Sequence, residues 1–377
     1  MTGLPLEGIT VVSIEQAVAA PFATRQLADL GARVIKIERE AGDFARAYDT
    51  TVGGEASYFV WLNRGKESVV MDLKSERDQS LLRSLLAHAD VFVENLAPGA
   101  VERLGFTPEV LEQINPRLIS VSVSGFGSGG PHERKKAYDL IIQCEAGMLS
   151  VTGGPEAPAK VGVSIADISA GMYAYSGVLA ALIQRGRTGT GSRIEVSMLE
   201  ALGEWMQQTY LYAEYSGAAP KRSGASHASI APYGPFRASD GVVFLGLQNE
   251  REWAQFCDRV LEQPELTEHP DYASNSLRVA NGAALSQLIE HRLGERTVAE
   301  VQWLLDNVGI ANAQMRTMAE FSAHPQLAAR DRWRTIKTPS GEARVALPPV
   351  TFGDEPPMGD VPALGEHTER IFAEFGS

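Results

Sequence analysis

Cysteine is scarce in this chain: there are two in 377 residues, Cys144 and Cys257. They lie far apart and lack the paired spacing of a metal ligand set, so we expect no metal site and two free, buried thiols in a reducing compartment. Excess basic charge is also missing. With 34 Lys+Arg against 47 Asp+Glu the formal net charge is −13, which argues against a nucleic-acid partner and against an anionic membrane surface. Any anionic ligand must therefore meet cations gathered locally. No unbroken apolar run approaches the ~20 residues of a membrane span, and the opening MTGLPLEGITVVSIEQ has no basic segment followed by an apolar core. The expectation is a cytoplasmic protein. Internal repeats and low-complexity tracts are absent as well.

What is present is ample core material: 44% of the residues are hydrophobic, and the length allows two domains. ITVVSIE, a helix over 23–30 and RVIKIE read as strand, helix, strand. The alternation continues through VVMDL at Val69, an amphipathic helix carrying Leu81, Leu82, Leu85 and Leu86, VFVEN at Val91, a helix over 101–114 and LISVSVS at Leu118. This predicts an α/β fold with a doubly wound, parallel, Rossmann-like sheet whose ligand site lies at the carboxyl ends of the strands. A dinucleotide should then find glycines in the first turn, but that turn is EQAVAAPF. A G-x-G-x-x-G does occur at Gly125, Gly127 and Gly130, yet Pro131 and HERKK follow it instead of a helix start. A flexible active-site loop suits these glycines better than NAD or FAD.

After a helix ending near Arg185, GRTGTG turns into the strand SRIEVSM and a long helix over 198–215. Residues 216–232, SGAAPKRSGASHASIAP, read as a linker or active-site loop. Beyond them come a hairpin from Tyr233, helices over 250–261, 283–293 and 297–307, a strand pair over 333–352 and a short helix after Gly365. We expect a large domain over 1–215, a linker and smaller α+β domain over 216–330, and a segment over 331–377 returning to the large domain.

One stretch concentrates the chemistry: VGVSIADISAGMYAYSG, residues 161–177. It sets Asp167 between an apolar, β-branched segment and a buried helix expected over 172–183, with small neighbours Ala166, Ser169, Ala170 and Gly171 leaving room for a bulky ligand. Asp167 either caps that helix, the commonest task of an aspartate at a helix start, or is a poorly hydrated reactive carboxylate.

Eight stretches in order, LGARVIKIERE at Leu30, NRGKESVVMDLK at Asn63, VFVENLAPGAVERLGF at Val91, SGFGSGGP at Ser124, KAYD at Lys136, VGVSIADISAG at Val161, TGTGSRIEVSM at Thr188 and LGEHTERI near the end, resemble the class III coenzyme A transferases. That family includes formyl-CoA:oxalate and carnitine CoA-transferases and α-methylacyl-CoA racemases. The resemblance implies that Asp167 is the nucleophile, passing through mixed anhydrides and an aspartyl-CoA thioester, with acyl-CoA as substrate and no tightly bound cofactor. It places Gln16, Ala17 and Val18 as oxyanion or thioester contacts. It makes Arg39, Lys74, Asn95, Arg103 and Lys136 candidates for binding CoA, where Arg offers phosphate a fork and Lys a point charge. Two features depart from formyl-CoA transferases: Val18 stands where they carry a glutamine, and SHASIAPYG (226–234) stands where they carry a glycine-rich loop. Both argue against formate or oxalate as the acid. Racemases of the family place a histidine where Tyr138 stands, and a protonated phenol is a poor base, so a transferase is expected over a racemase or a silent acyl-CoA-binding homologue. Tyr138, Arg46, Arg222 and His227 are candidates for the substrate pocket, the two arginines for the distal group of a dicarboxylic acid. The family also implies an interlocked homodimer with active sites between subunits.

Overall fold

A computed structural model of the chain describes residues 3–350, 352 and 356–376. Two compact units emerge, one made of Met1–Ala146, Val161–Gln207 and Gln326–Ser377, the other of Gly147–Lys160 and Gln208–Pro325. Against the divisions expected at 215/216 and 330/331, these fall at 207/208 and 325/326, and the second unit also takes residues 147–160 from the expected large domain.

In the first unit six strands, β1 (Thr10–Ile14), β2 (Arg33–Glu38), β3 (Lys66–Val70), β4 (Val91–Glu94), β5 (Ile119–Ser124) and β6 (Arg193–Ser197), form one sheet in the order β3-β2-β1-β4-β5-β6. Every pairing is parallel, with Val12 of β1 opposite Ile35 of β2 and Phe92 of β4. Helices cover the sheet, so strands such as β4 are runs of buried apolar residues. The order reverses between β1 and β4, which puts the ligand crevice of such a sheet at the carboxyl ends of those two strands. Leu81, Leu82, Leu85 and Leu86 of the Glu76–His88 helix pack in one core with Val12, Ile35, Val69 and Phe92, matching the amphipathic pattern. The C-terminal helix Thr368–Phe375 screens the edge strand: Thr368 Oγ1 accepts the Val70 N–H (3.0 Å) and His367 Nδ1 accepts the Ser68 N–H (3.2 Å).

The second unit holds an antiparallel sheet of β7 (Tyr233–Arg237), β8 (Val242–Gly246) and β9 (Ala311–Gln314). Its core gathers Trp253, Phe256, Ile289, Leu293, Val301 and Leu305 from the expected helices. A hairpin of β10 (Trp333–Thr338) and β11 (Gly341–Ala346) belongs to the first unit, where Ile336 and Ala343 pack on Ala56, Phe59 and Val60.

Several local expectations shift. The helix that carries Asp167 is Ile165–Thr188, starting seven residues before Met172, so the aspartate lies inside its first turn. Its small residues do not line open space: Ala166, Ser169, Ala170 and Gly171 are buried, and a Cβ on Gly171 would fall 2.6 Å from the carbonyl oxygen of Ala19. They allow this helix to press against the Ala19–Asp29 helix. By length and composition Ile165–Thr188 could cross a membrane, but the seam of Ala166, Ala170, Ala174, Val178 and Ala181 is buried within the unit, as in a core helix. The helix expected over 101–114 is two, Ala100–Arg103 and Pro108–Ile114, parted by Gly105 (φ +86°); the one over 198–215 is Met198–Trp205 and Gln207–Ser216. Cys257 is buried, whereas Cys144 is exposed on the Asp139–Glu145 helix, which turns Ile142 and Gln143 inward.

Candidate active site

Asp167 is the third residue of its helix. The N-cap residue Ser164 offers no capping side-chain bond; instead Asp139, from another segment, accepts the amides of Ala166 (2.8 Å) and of Asp167 itself (3.4 Å) through Oδ1. Asp139 Oδ2 takes the Gln143 side-chain amide at 2.7 Å, and Gln143 in turn accepts the Val161 N–H at 3.0 Å. The capping task considered for Asp167 thus belongs to Asp139. Gly125 makes this placement feasible, because a Cβ there would meet that of Ala137 at 2.2 Å. Among the described residues no group donates a hydrogen bond to the Asp167 carboxylate and no cation pairs with it. Burial, and then the like charge of Asp139, push its carboxyl up to about 7.

An aromatic wall stands beside this helix start. Tyr58 OH lies 3.2 Å from Ser164 Oγ, and its ring meets Tyr48 edge-on at 5.7 Å and Trp61 at 6.2 Å. Burial, together with the charges of Asp43 and Asp167 and the neighbouring Tyr138, pushes the Tyr48 phenol up to about 12, so it stays a neutral donor.

The Gln16–Val18 turn leaves the end of β1 and leads into the Ala19–Asp29 helix, on which Gly171 rests. Ala17 is left-handed, with φ +61°. Asn95, just past β4, accepts the Gln16 N–H at 2.8 Å and donates to the Gln16 carbonyl at 2.9 Å. Asp43 Oδ1 accepts the Ala17 N–H at 3.1 Å. The amides of Gln16 and Ala17, both expected to face an oxyanion, are therefore committed to side chains. The Val18 N–H has no acceptor among the described residues, and no side chain caps that helix.

Next to the turn lies a buried set of three carboxylates and three cations. Lys36 Nζ contacts Asp43 (2.9 Å) and Glu15 (3.6 Å), Lys66 Nζ contacts Glu15 (2.7 Å), and Arg46 contacts Glu38 (2.8 Å). Burial opposes the charges of Glu15 and Glu38, yet the lysines hold Glu15 below the usual carboxylate range, and Arg46, Lys36 and Ser68 bring Glu38 down to about 2. The surrounding carboxylates hold Lys36 above the usual lysine range despite its burial.

The expected site residues therefore part company. Arg39, Lys74, Asn95 with Arg103, and Lys136 follow β2, β3, β4 and β5, so the sheet brings their loops to its carboxyl end. Of these, Arg39, Lys74, Arg103 and Lys136 are exposed; Arg39 Nε rests on the Gly42 carbonyl and Arg103 Nη1 on that of Pro98. Two expected ligand contacts already have partners. Asn95 engages Gln16 through one amide N–H and its oxygen. Arg46 is not free for a substrate carboxylate, since its guanidinium forks onto Glu38 and stacks 3.7 Å from the Phe59 ring centroid. Tyr138 is exposed immediately before Asp139. Arg222 and His227 belong to the second unit, where Arg222 donates to the carbonyls of Gly154 and Pro155, while His227 accepts the Ser229 amide and stacks on Tyr233 at 5.3 Å. Asp43 and Lys36 were not singled out from the sequence, and Asp139 stood there only as the neighbour of Tyr138 in the KAYD stretch. A lysine within the apolar strand RVIKIE was the one visible signal among them.

With this geometry in place, comparison with known proteins identifies the class. Residues 6–368 match the sequence profile of CoA-transferase family III. The chain is 38% identical to acetyl-CoA:oxalate CoA-transferase of Acetobacter aceti over 99% of this chain and 96% of that one, and 33% identical to the human succinyl-CoA:glutarate CoA-transferase over 98% and 86%. A crystal structure of a CaiB/BaiF family protein from Brucella suis superimposes with a TM-score of 0.87 at 34% identity, covering 99% of this chain and all of the other. The chain belongs to CoA-transferase family III, a family of CoA-transferase enzymes that use acyl-CoA substrates.

Proposed function

We propose that this enzyme moves CoA from an acyl-CoA donor to a dicarboxylic acid, with Asp167 as the carrier. The observation behind this reading is the Asp167 carboxylate itself, half-buried at a helix start and, among the described residues, compensated by neither a cation nor a hydrogen bond to its oxygens. Such a group is poorly solvated and hence a better nucleophile than a hydrated carboxylate. Its oxygen attacks the donor thioester carbonyl, the C–S bond breaks, and CoA leaves as the thiolate from a mixed anhydride. The thiolate then attacks the Asp167 carbonyl, forming aspartyl-CoA and releasing the donor acid. The acceptor carboxylate attacks that thioester to form a second anhydride, and the thiolate takes the acceptor acyl group, restoring Asp167. Each tetrahedral oxyanion needs a donor, worth about 3 kcal/mol, and the Val18 amide and the Tyr48 phenol are the candidates in the first unit.

The acceptor class follows from relatives named for oxalate, glutarate and mesaconate, all dicarboxylic acids. The oxalate relative is a reason to keep oxalate in view, against the two sequence departures noted above. Arg222 remains the candidate cation for the distal carboxylate once Arg46 is set aside, and Arg39, Lys74, Arg103 and Lys136 remain those for CoA phosphates. The expected interlocked homodimer, with sites completed between subunits, belongs to the same proposal. Racemisation needs two bases on the α-carbon, but Asp139 is occupied by helix amides and Tyr138 is a phenol. Incubating the enzyme with succinyl-CoA and oxalate, glutarate or mesaconate, in water and in deuterium oxide, tests the reading. New acyl-CoA without α-deuterium is expected; α-exchange without a new acyl-CoA contradicts it.

A further inference from the structure

Four consecutive backbone groups around the first turn are each held by a side chain. The Glu15 carbonyl accepts from Lys36 Nζ (3.2 Å), the Gln16 N–H and carbonyl both meet Asn95 (2.8 and 2.9 Å), and the Ala17 N–H meets Asp43 (3.1 Å). The holders come from β2, from the loop after β2 and from the loop after β4. Those two strands flank β1 in the sheet. Lys36 also fixes Asp43 at 2.9 Å, and both side chains are almost wholly buried. A left-handed alanine costs energy and persists only where its surroundings over-determine it. This turn is held far more tightly than chain connectivity requires, at the switch point where such sheets bind ligands.

We infer that Lys36, Asp43 and Asn95 are positioning residues that clamp the Glu15–Val18 turn, so that its unclaimed Val18 amide meets the oxyanion of each transfer step without reorganising. This rests on the proposed role of Asp167 and adds to it a reason why the switch-point crevice is laced shut by Asn95. A donor aimed at charge that exists only in the transition state affects kcat and not substrate binding. A residue binding CoA, as the family motif suggested for Asn95, would instead affect KM.

The test compares Asn95→Ala and Asp43→Ala with Val91→Ala, a buried β4 position outside the site that serves as a stability control. In folded clamp variants kcat falls about 10²-fold, the scale of losing one oxyanion donor, while KM for acyl-CoA stays within about threefold of wild type. Formation of the CoA adduct on the Asp167 peptide slows in parallel. Should either alanine variant fail to fold, Asn95→Asp keeps the shape and the acceptor for the Gln16 N–H but sets an oxygen against the Gln16 carbonyl, and kcat falls about tenfold. Wild-type kcat in the folded variants, a loss confined to KM, or a loss matched by Val91→Ala at equal Tm overturns the clamp while leaving the Asp167 reading intact. Absence of an Asp167 adduct in the wild-type enzyme overturns both.

Discussion

Two groups of carboxylates sit in the same unit and meet opposite fates. Glu15, Glu38 and Asp43 are matched by Lys36, Lys66 and Arg46, and Glu15 and Glu38 are held below their ordinary range. Among the described residues Asp167 and Asp139 have no cation between them, and Asp167 is pushed up to about 7. The first group is buried and the second half-buried. Partners decide whether a partly desolvated acid is structure or reagent: a paired one locks three strand ends together, while an unpaired one is kept poorly solvated, at a cost to stability, where a reactive oxygen is useful.

The contrast can be broken from either side. Taking one member out of the paired set leaves an uncompensated buried charge, so Lys66→Met is expected to cost about 3–5 kcal/mol, read as a fall in the midpoint of chemical denaturation. A loss under about 1 kcal/mol would mean the network relaxes or admits water.

Removing the charge from the unpaired site works in the opposite direction. The Asp167 carboxyl titrates higher in the folded protein than in the unfolded chain, so between about pH 4 and about pH 7 the native state holds the extra proton and stability falls as pH rises. Asp167→Asn should therefore stabilise the protein above about pH 7, by something on the order of 3 kcal/mol, and by little near pH 4. Asp139→Asn, which keeps an oxygen for the Ala166 amide but removes the like charge, should shift the same dependence to lower pH by a smaller amount. Thermal unfolding of the two variants and the wild type across that range is the check. A pH-independent difference would show that Asp167 is not the strained group.

The sheet was legible because strand and helix periods alternate cleanly through the first 125 residues, and the final helix and both hairpins carried clear turn signals. The start of the Asp167 helix was not. Its cap comes from Asp139, 28 residues upstream, and nothing in the local text SIADIS reports a partner at that distance. Asn95 and Arg46 show a second limit: motif position marks a residue as constrained without saying which neighbour claims it. In one case the claimant is a backbone turn, in the other Glu38. The small residues after Asp167 were read as space for a ligand but are filled by the Ala19–Asp29 helix, since a short side chain admits a helix as readily as a substrate. Lys36 was legible in principle, because a charge inside a buried parallel strand must have a partner.

The central claim is that Asp167 itself carries the coenzyme. Its most direct test is to quench the enzyme during turnover with succinyl-CoA and map by peptide mass spectrometry where CoA is attached. We expect the adduct on the peptide containing Asp167, absent in Asp167→Ala together with turnover. An adduct on another peptide, or undiminished transfer by Asp167→Ala, would contradict the account.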